Sequence, residues 1–323
     1  MDNNVSRHNK GIQYNPQRRD EFRRGVDSYR PKNPFNLAIY CGLFPNINEL
    51  AGLKRSFRVG DFMSGPGKLG IEVIFETYKK QVSGRNDMPE LELTFNDLNN
   101  DMLDRAVSDL AMLGGKGKSI CCDVRVINLH YTQELDAVAL RYGLKDLPKH
   151  YSEHGFGTKT DIQTVVALKS IYDVIAHGGR IVLGEMTAYT SEGQGGFVEL
   201  HSGKQIISGT RNVAEEGMCH IPTIKEWNYY LGEAGFKDVK RIWAGGSHIK
   251  ITTDLEKASW KGQFGIGVEE KEALKKMLEM AVNLADTNPT FAKESKAVIE
   301  SEGGKVISFD FEFPIAVFTG VKR

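Results

Sequence analysis

A strand, a glycine turn and a helix follow one another near the start of the chain, and this order constrains the fold most. The apolar run Phe57–Phe62 predicts a buried strand, Ser64-Gly65-Pro66-Gly67 predicts a tight turn, and Leu69–Phe75 predicts the start of a helix. Glycines let the backbone approach a ligand closely, and a helix N-terminus offers N–H groups to it. The stretch therefore predicts a cofactor site, with Asp61 at the carboxyl end of the strand.

Size and charge limit the classes of function. The chain has 323 residues, enough for one large α/β domain with insertions. Its 42 basic residues balance its 42 acidic ones, so bulk charge favours neither nucleic acid nor a membrane surface as a partner. No apolar run approaches the roughly 20 residues that span a bilayer, and the polar N-terminus lacks the apolar core of a signal peptide. The four cysteines show no metal-ligand spacing, and we interpret them as reduced, mostly buried thiols of a cytoplasmic protein without a metal.

Aspartates follow three consecutive predicted strands. Asp61 ends the first, Asp97 follows the alternating run 91–95, and Asp123 lies at the end of a third strand predicted over 118–125. A fourth strand is predicted over 135–142. Because parallel strands present their carboxyl ends at one edge of a sheet, we expect the three carboxylates to border one ligand crevice.

This order of motifs resembles the class I S-adenosylmethionine-dependent methyltransferases. The first motif of that family, an acidic residue followed by alternating glycines, is similar to Asp61–Gly67, where Met63 stands at the first glycine position and Gly65 and Gly67 at the next two. The resemblance covers roughly residues 56–243 and a last strand near 311–321. It implies an α/β fold with a Rossmann-like, doubly wound, mostly parallel sheet of seven strands, and S-adenosylmethionine as the cofactor.

The resemblance also implies roles for individual residues. Asp97, with Leu98 beside it, would hold the ribose hydroxyls, and Asp123 would contact the adenine amino group with Val124 beside the ring. Near the methyl donor, the implied cofactor-binding residues are those of the glycine turn and of the fourth strand's end: Met63, Ser64, Gly65, Gly67, Arg141 and Tyr142.

The remaining segments are predicted to surround this core. Residues 1–55 form a helical segment that is either a lid over the crevice, with Tyr14, Tyr29 or Arg30 touching ligand, or a flank that covers the sheet. Residues 56–323 form the methyltransferase domain, with insertions at about 186–222, interpreted as a polar loop, and at about 245–305. The sixth strand is predicted to end at Gly245-Gly246, and helices are predicted over 269–285 and 290–300. The second insertion would cover the acceptor or form the face of a homodimer.

Methyl transfer from a sulfonium requires little catalytic machinery. It is an in-line displacement on carbon, so the protein chiefly positions donor and acceptor and excludes water. His201, His220 and Glu185 are candidates for removing a proton from the acceptor, and each is also interpretable as an ordinary structural residue. No metal site is needed for this chemistry.

The predicted substrate is a small organic molecule that accepts the methyl group on O or N, with C left open. The balanced charge, and the lack of an Asn-Pro-Pro-aromatic or Pro-Cys motif, disfavour a nucleic-acid substrate. One alternative is a nicotinamide-dependent oxidoreductase built on the same strand, turn and helix, which Asp61 and Met63 disfavour. The other is a protein that binds S-adenosylmethionine without catalysis.

Overall fold

The computed structural model describes residues 33–147, 162–207, 218–260 and 269–323, so the predicted ligand contacts of Tyr14, Tyr29 and Arg30 lie outside the described residues. Within those ranges the chain forms a mixed sheet with helices on both faces. The elements, in chain order, are α1 (Pro34–Leu43), β1 (Phe57–Phe62), α2 (π-helical over Leu69–Phe75 and α-helical over Glu76–Gln81), β2 (Leu91–Asp97), α3 (Asn100–Met112), β3 (Lys116–Cys121), α4 (Ile127–His130), β4 (Leu135–Arg141), α5 (Ile162–Val174), β5 (Ile175–Met186), α6 (Ser191–Ile207), α7 (Ile224–Glu233), β6 (Lys237–Thr252), α8 (Glu270–Thr287), α9 (Pro289–Glu294), β7 (Val298–Glu302) and β8 (Lys305–Val321).

The strand order confirms the predicted doubly wound sheet. The strands lie in the order β3-β2-β1-β4-β5-β8-β6; the first five are parallel, and β8 is antiparallel to both of its neighbours in that order. The order reverses between β1 and β4. Open α/β sheets bind ligands outside the carboxyl ends of the strands at such a reversal. The fold therefore places the predicted crevice beside the glycine turn.

Alternating side chains of the central strands fill a core on each face. On one face, β4, β5 and β8 pack under α5 and α7, with Phe62, Leu140 and Trp227 fully buried. On the other, α1, α2 and α3 cover Val59 and Val182. Parallel strands buried on both faces read as continuous apolar runs, which is how the sequence predicted β1, whereas it predicted β2 from an alternating pattern.

Helix α1 is an integral layer of the fold. Pro34 stands at its first turn, and the side chain of Asn33 accepts a hydrogen bond from the Phe35 N–H, as an N-cap does. Phe35 and Ile39 are fully buried and lie directly over Gly184 of β5. The described part of the N-terminal segment thus packs on the face of the sheet.

A helical layer beyond the carboxyl edge corrects several sequence predictions. The span 186–222, interpreted as a polar loop, contains the 17-residue helix α6. Strand β6 does not end at Gly245-Gly246 but continues to Thr252 against β8. There, α6, α8 and α9 pack on Phe309, Phe311 and Phe313 and form a third buried cluster. Helices in the second insertion were predicted, and they form part of this layer.

The last predicted helix and the strand count also need correction. The helix predicted over 290–300 ends at Glu294, and residues Val298–Glu302 form a strand, so the described sheet has eight strands rather than seven. Gly303 and Gly304, both with positive φ, form the two-residue turn between β7 and β8. Strand β3 ends at Cys121, before Asp123.

Cysteine burial was predicted only in part. Cys122 and Cys219 are buried, whereas Cys41 and Cys121 are exposed, so the prediction of mostly buried thiols was wrong.

Among the described helices, none is both long and apolar enough to cross a bilayer.

We expect Gly184→Ala to lower the free energy of unfolding by about 1–3 kcal/mol, because overpacking strains a filled core. A Cβ there would lie 2.6 Å from Ile39 and 2.8 Å from Phe35, both on α1. Urea unfolding of the full chain measures the change. The control Gly232→Ala, at an exposed position of α7 with no atom within 4 Å of the added Cβ, should be neutral or stabilising. Equal stability of the two variants would show that α1 does not press on β5.

Candidate functional site

At the reversal of strand order, β1 and β4 are each followed by a residue with an unusual backbone conformation. Met63 follows β1 with φ 54°, and Tyr142 follows β4 with φ 58°. Residues other than glycine seldom adopt positive φ, and such conformations persist where the surroundings hold them, often at functional sites. In the turn itself, Gly65 and Gly67 also have positive φ, at 52° and 72°. The predicted turn is therefore present, and its first glycine position is occupied by a strained Met63.

Asp61 joins the end of β1 to the beginning of α2. Its carboxylate is 1% exposed and accepts a hydrogen bond of 2.8 Å from the Gly70 N–H. Burial raises the pKa of Asp61 to about 7, although the Gly70 hydrogen bond and the charge of Arg141 act in the opposite direction. Asp61 thus fixes the direction of α2.

The N–H groups of the turn are largely occupied by the protein itself. Ser64 N–H donates to the Asn96 carbonyl at 2.9 Å, and Gly67 N–H donates to the Ser64 carbonyl at 3.0 Å. Gly65 N–H donates to the Asp97 carboxylate at 2.9 Å. These N–H groups are therefore engaged rather than presented to an anion.

Asp97 closes the opposite side of the turn. One of its oxygens accepts from Gly65 N–H, and the other accepts from Asn99 N–H at 3.1 Å. Burial raises its pKa, and these backbone hydrogen bonds oppose the rise. Because each carboxylate oxygen can accept more than one hydrogen bond, Asp97 retains capacity for ligand hydroxyls. Next to it, the apolar side chain of Leu98 is 38% exposed.

Asp123 lies two residues beyond the end of β3, in an ion pair with Arg125. Asp123 accepts from the Arg125 backbone N–H at 2.8 Å and from the guanidinium Nε at 3.0 Å. Burial raises the pKa of Asp123, but the hydrogen bonds and charge of Arg125 outweigh it and hold that pKa below its ordinary value. Arg125 also donates to Gln163 of α5, and Val124 is buried. The predicted adenine residue is thus oriented by a cation that the sequence analysis did not consider.

Arg141 and Tyr142 meet helix α1. Arg141 donates to the buried side chain of Asn36 at 3.2 Å. The ring of Tyr142 stacks on Phe35, with centroids 5.1 Å apart and planes at 15°. Phe35 in turn contacts Trp243 of β6 at 5.7 Å. An aromatic row therefore runs from the end of β4 toward β6.

The three candidate bases are not brought together. His220 Nε2 lies 2.9 Å from the Tyr230 hydroxyl of α7, and its side chain is half-buried. His201, on α6, is 6% exposed and lies edge-on to Phe313 of β8. Glu185 is fully buried, and one of its oxygens accepts hydrogen bonds from Gly143 and Leu144. His201 thus packs against β8, whereas His220 contacts α7.

Several residues of the site were not found from the sequence. Gly70 had a detectable signal, because a glycine inside a predicted helix is unfavourable unless close packing requires it. Asn36 gave no local pattern, since it reaches Arg141 from α1, which is distant in sequence. Arg125, two residues after Asp123, was a detectable local cation that the sequence analysis passed over, and Tyr230 reaches His220 from the helix that follows it. In the described part of the chain, no cluster of His, Cys, Asp and Glu could hold a metal ion.

Comparisons with known proteins support the fold. No family model matches the chain, and no curated protein matches its sequence. Among solved structures, the YcgJ protein from Bacillus subtilis is 14% identical with a TM-score of 0.58, and the match covers 87% of this chain and 98% of that one. A putative methyltransferase, BH2331 from Bacillus halodurans, is 15% identical with a TM-score of 0.51, over 86% and 97% of the two chains. At this identity the likeness establishes a shared fold, as the sequence resemblance predicted.

We expect Asp61→Asn to change how stability depends on pH. Because the folded pKa of about 7 lies above the ordinary 3.8, the stability contributed by protonated Asp61 is complete below about pH 4 and is lost as pH rises through 7. Asparagine still accepts from Gly70 and carries no charge. The variant should therefore gain up to about 4 kcal/mol over wild type between pH 4 and pH 8.

Urea unfolding at a series of pH values measures that difference. Asp286→Asn, at an exposed position of α8, is the matched control for loss of one carboxylate. A stability difference between Asp61→Asn and wild type that stays constant with pH would contradict a raised pKa for Asp61.

Proposed function

We propose that the protein transfers a methyl group from S-adenosylmethionine to an O or N atom of a small organic acceptor, with C as a further option. The observation that carries the proposal is the turn after β1, which Asp97 closes through a hydrogen bond to Gly65 N–H at the reversal of strand order. A carboxylate held in this position suits the two hydroxyls of a ribose. The shared fold with a putative methyltransferase supports the same assignment.

We assign the nucleoside half of the donor to the ends of β2 and β3. Asp97 would accept the ribose hydroxyls, and the exposed apolar surface of Leu98 would pack against the base. Asp123 would accept from the adenine amino group while Arg125 keeps its carboxylate in place, and Val124 would lie beside the ring. The exposed apolar surface of Leu98 and the remaining hydrogen-bond capacity of the Asp97 carboxylate support this assignment.

We assign the methionine half to the ends of β1 and β4. The backbone of Met63, Ser64 and Gly65 forms the floor, and Gly65 has open space, since a built Cβ meets only the Met102 sulfur at 3.8 Å. Arg141 would bind the carboxylate of the donor, and the Tyr142 ring would border the methyl group, as an aromatic face suits a sulfonium cation. When bound, the donor supplies a methyl group activated by its positive sulfur; the residues supply position and exclude water.

The occupied N–H groups of the turn disfavour a dinucleotide. A pyrophosphate requires free N–H groups at the glycine turn and the helix N-terminus. Here the N–H groups of Ser64, Gly65, Gly67 and Gly70 are engaged by the protein, and the carboxylate of Asp97 borders the same place. A nicotinamide cofactor therefore has less support than a sulfonium donor, whose nucleoside carries no phosphate.

Turnover decides whether the protein is an enzyme. Purified protein is incubated with methyl-labelled S-adenosylmethionine and a fractionated extract of small metabolites, and label is followed in each fraction. The proposal predicts protein-dependent transfer to a small molecule. Binding of the donor without transfer to any fraction would indicate a non-catalytic binding protein, and tight binding of NAD without binding of the donor would indicate an oxidoreductase.

We expect Asp97→Ala to weaken binding of S-adenosylhomocysteine by about 1.5–3 kcal/mol, because the ribose hydroxyls and Gly65 N–H lose their acceptor. Isothermal titration calorimetry measures the dissociation constant. The control Asp101→Ala removes an exposed carboxylate from the first turn of α3 and should leave binding unchanged. Equal affinity of Asp97→Ala and wild type would show that the ribose lies elsewhere.

We propose His220 as the base that receives the proton of the acceptor. It is half-buried beside the carboxyl end of β5, where Pro222 accepts a hydrogen bond from Ala188, and the Tyr230 hydroxyl orients its ring. Removing a general base typically lowers a rate about 10²- to 10⁴-fold. We expect such a loss of kcat in His220→Ala, with KM for the donor unchanged. His201→Ala is the matched comparison, and a larger loss there would transfer the role to His201.

A further inference from the structure

The short loop after β4 is held in a strained conformation next to the donor site. Its first residue, Tyr142, has φ 58°, and its N–H donates to the Gly184 carbonyl at 2.9 Å. The stacking on Phe35 fixes the direction of the ring. A conformation of this kind persists only where surrounding contacts determine it, so the groups that hold this loop also fix the Tyr142 ring.

The loop after β4 also presses on the loop after β1. A Cβ built on Gly143 would lie 2.7 Å from the Met63 sulfur, so the side chain of Met63 rests directly on the backbone of Gly143. Met63 has positive φ as well, and it begins the turn that we assign to the donor. The position of Gly143 is therefore coupled by direct contact to the glycine turn.

Glu185, on the neighbouring strand β5, holds this loop from below. It is 0% exposed, and its Oε1 accepts from Gly143 N–H at 2.9 Å and from Leu144 N–H at 3.0 Å. Burying a carboxylate is costly unless hydrogen bonds compensate, and two converging N–H groups provide that compensation. A leucine or alanine here would leave both N–H groups without this acceptor.

We propose that Glu185 is a positioning residue for the donor site. Through Gly143 and Leu144 it fixes the loop after β4, and through that loop it sets Tyr142 and Met63. The inference rests on the proposed function, since it takes these two side chains to border the donor. It differs from a base in that the carboxylate has no exposed surface and one of its oxygens already accepts two backbone N–H groups.

The substitution Glu185→Gln distinguishes a positioning role of Glu185 from a role as a base. Both N–H groups donate to the same atom, Oε1, so the amide oxygen of a glutamine can replace it. A base, in contrast, loses its function when the carboxylate becomes an amide. Glu185→Gln should therefore retain donor binding and turnover, and Glu185→Leu should lose them.

The experiment measures binding of S-adenosylhomocysteine by calorimetry, and hydrogen exchange of the Gly143 and Leu144 amides, in the full chain. We expect Glu185→Leu to weaken binding roughly 10- to 100-fold and to speed exchange at both amides, because their acceptor is gone. Glu185→Gln should stay within about 3-fold of wild type in affinity, since one acceptor atom is kept. Glu233→Leu, at an exposed position of α7, controls for the loss of a glutamate.

The outcomes separate this inference from the proposed function. Failure of wild type to bind would overturn the proposed function, while the exchange rates would still show whether Glu185 holds the loop. Wild-type affinity and exchange in Glu185→Leu would overturn the inference. If Glu185→Leu does not fold, Glu185→Gln decides: an unchanged pH profile of kcat supports positioning, and loss of kcat with intact binding would identify a base.

Discussion

The hydrogen bond between the buried carboxylate of Asp61 and Gly70 N–H determines the rest of the site. It fixes where α2 begins relative to β1, and so where the intervening turn can lie. Residue 70 must be glycine, because a Cβ there would lie 2.7 Å from the Phe95 ring and 2.9 Å from Asp61 Oδ2. The carboxylate is kept in place despite the cost of burial, which is visible in its raised pKa. The close approach of β1 and α2 places the turn at the reversal of strand order.

Carboxylates repeatedly hold backbone N–H groups at this edge of the sheet. Asp61 holds α2, Asp97 holds the glycine turn, and Glu185 holds the loop after β4. A carboxylate that accepts backbone N–H groups orders a loop more firmly than an exposed ion pair does, because hydrogen bonds with a charged partner are strong and directional. Asp123 differs, because its guanidinium partner competes with any ligand. These carboxylates thus position a bound molecule and do not act on it as nucleophiles. This suits methyl transfer from a donor that carries its own leaving group.

The sequence predicted the central sheet and the acidic strand ends, and it failed where glycines serve packing. Gly245 and Gly246 were interpreted as the end of β6, but the Trp243 ring lies over the first and the Glu312 side chain over the second. The glycine-containing span of α6 was interpreted as a polar loop, yet Gly196 and Gly203 allow Phe291 and Met280 to approach the helix. A glycine chosen for close approach and one chosen for a turn look alike in sequence. Asn36, the partner of Arg141, escaped prediction because it comes from α1, far away in sequence. Arg125 is only two residues from Asp123, but a pattern of residue types does not show that two neighbouring side chains pair.

The most direct test of this account is a crystal structure of the full chain with S-adenosylhomocysteine. The account predicts that the nucleoside lies at the turn between Ser64 and Gly67, with both ribose hydroxyls within hydrogen-bond distance of the Asp97 carboxylate and the thioether near Tyr142. Density for the ligand at another place, or at the turn with the ribose directed away from Asp97, would contradict it.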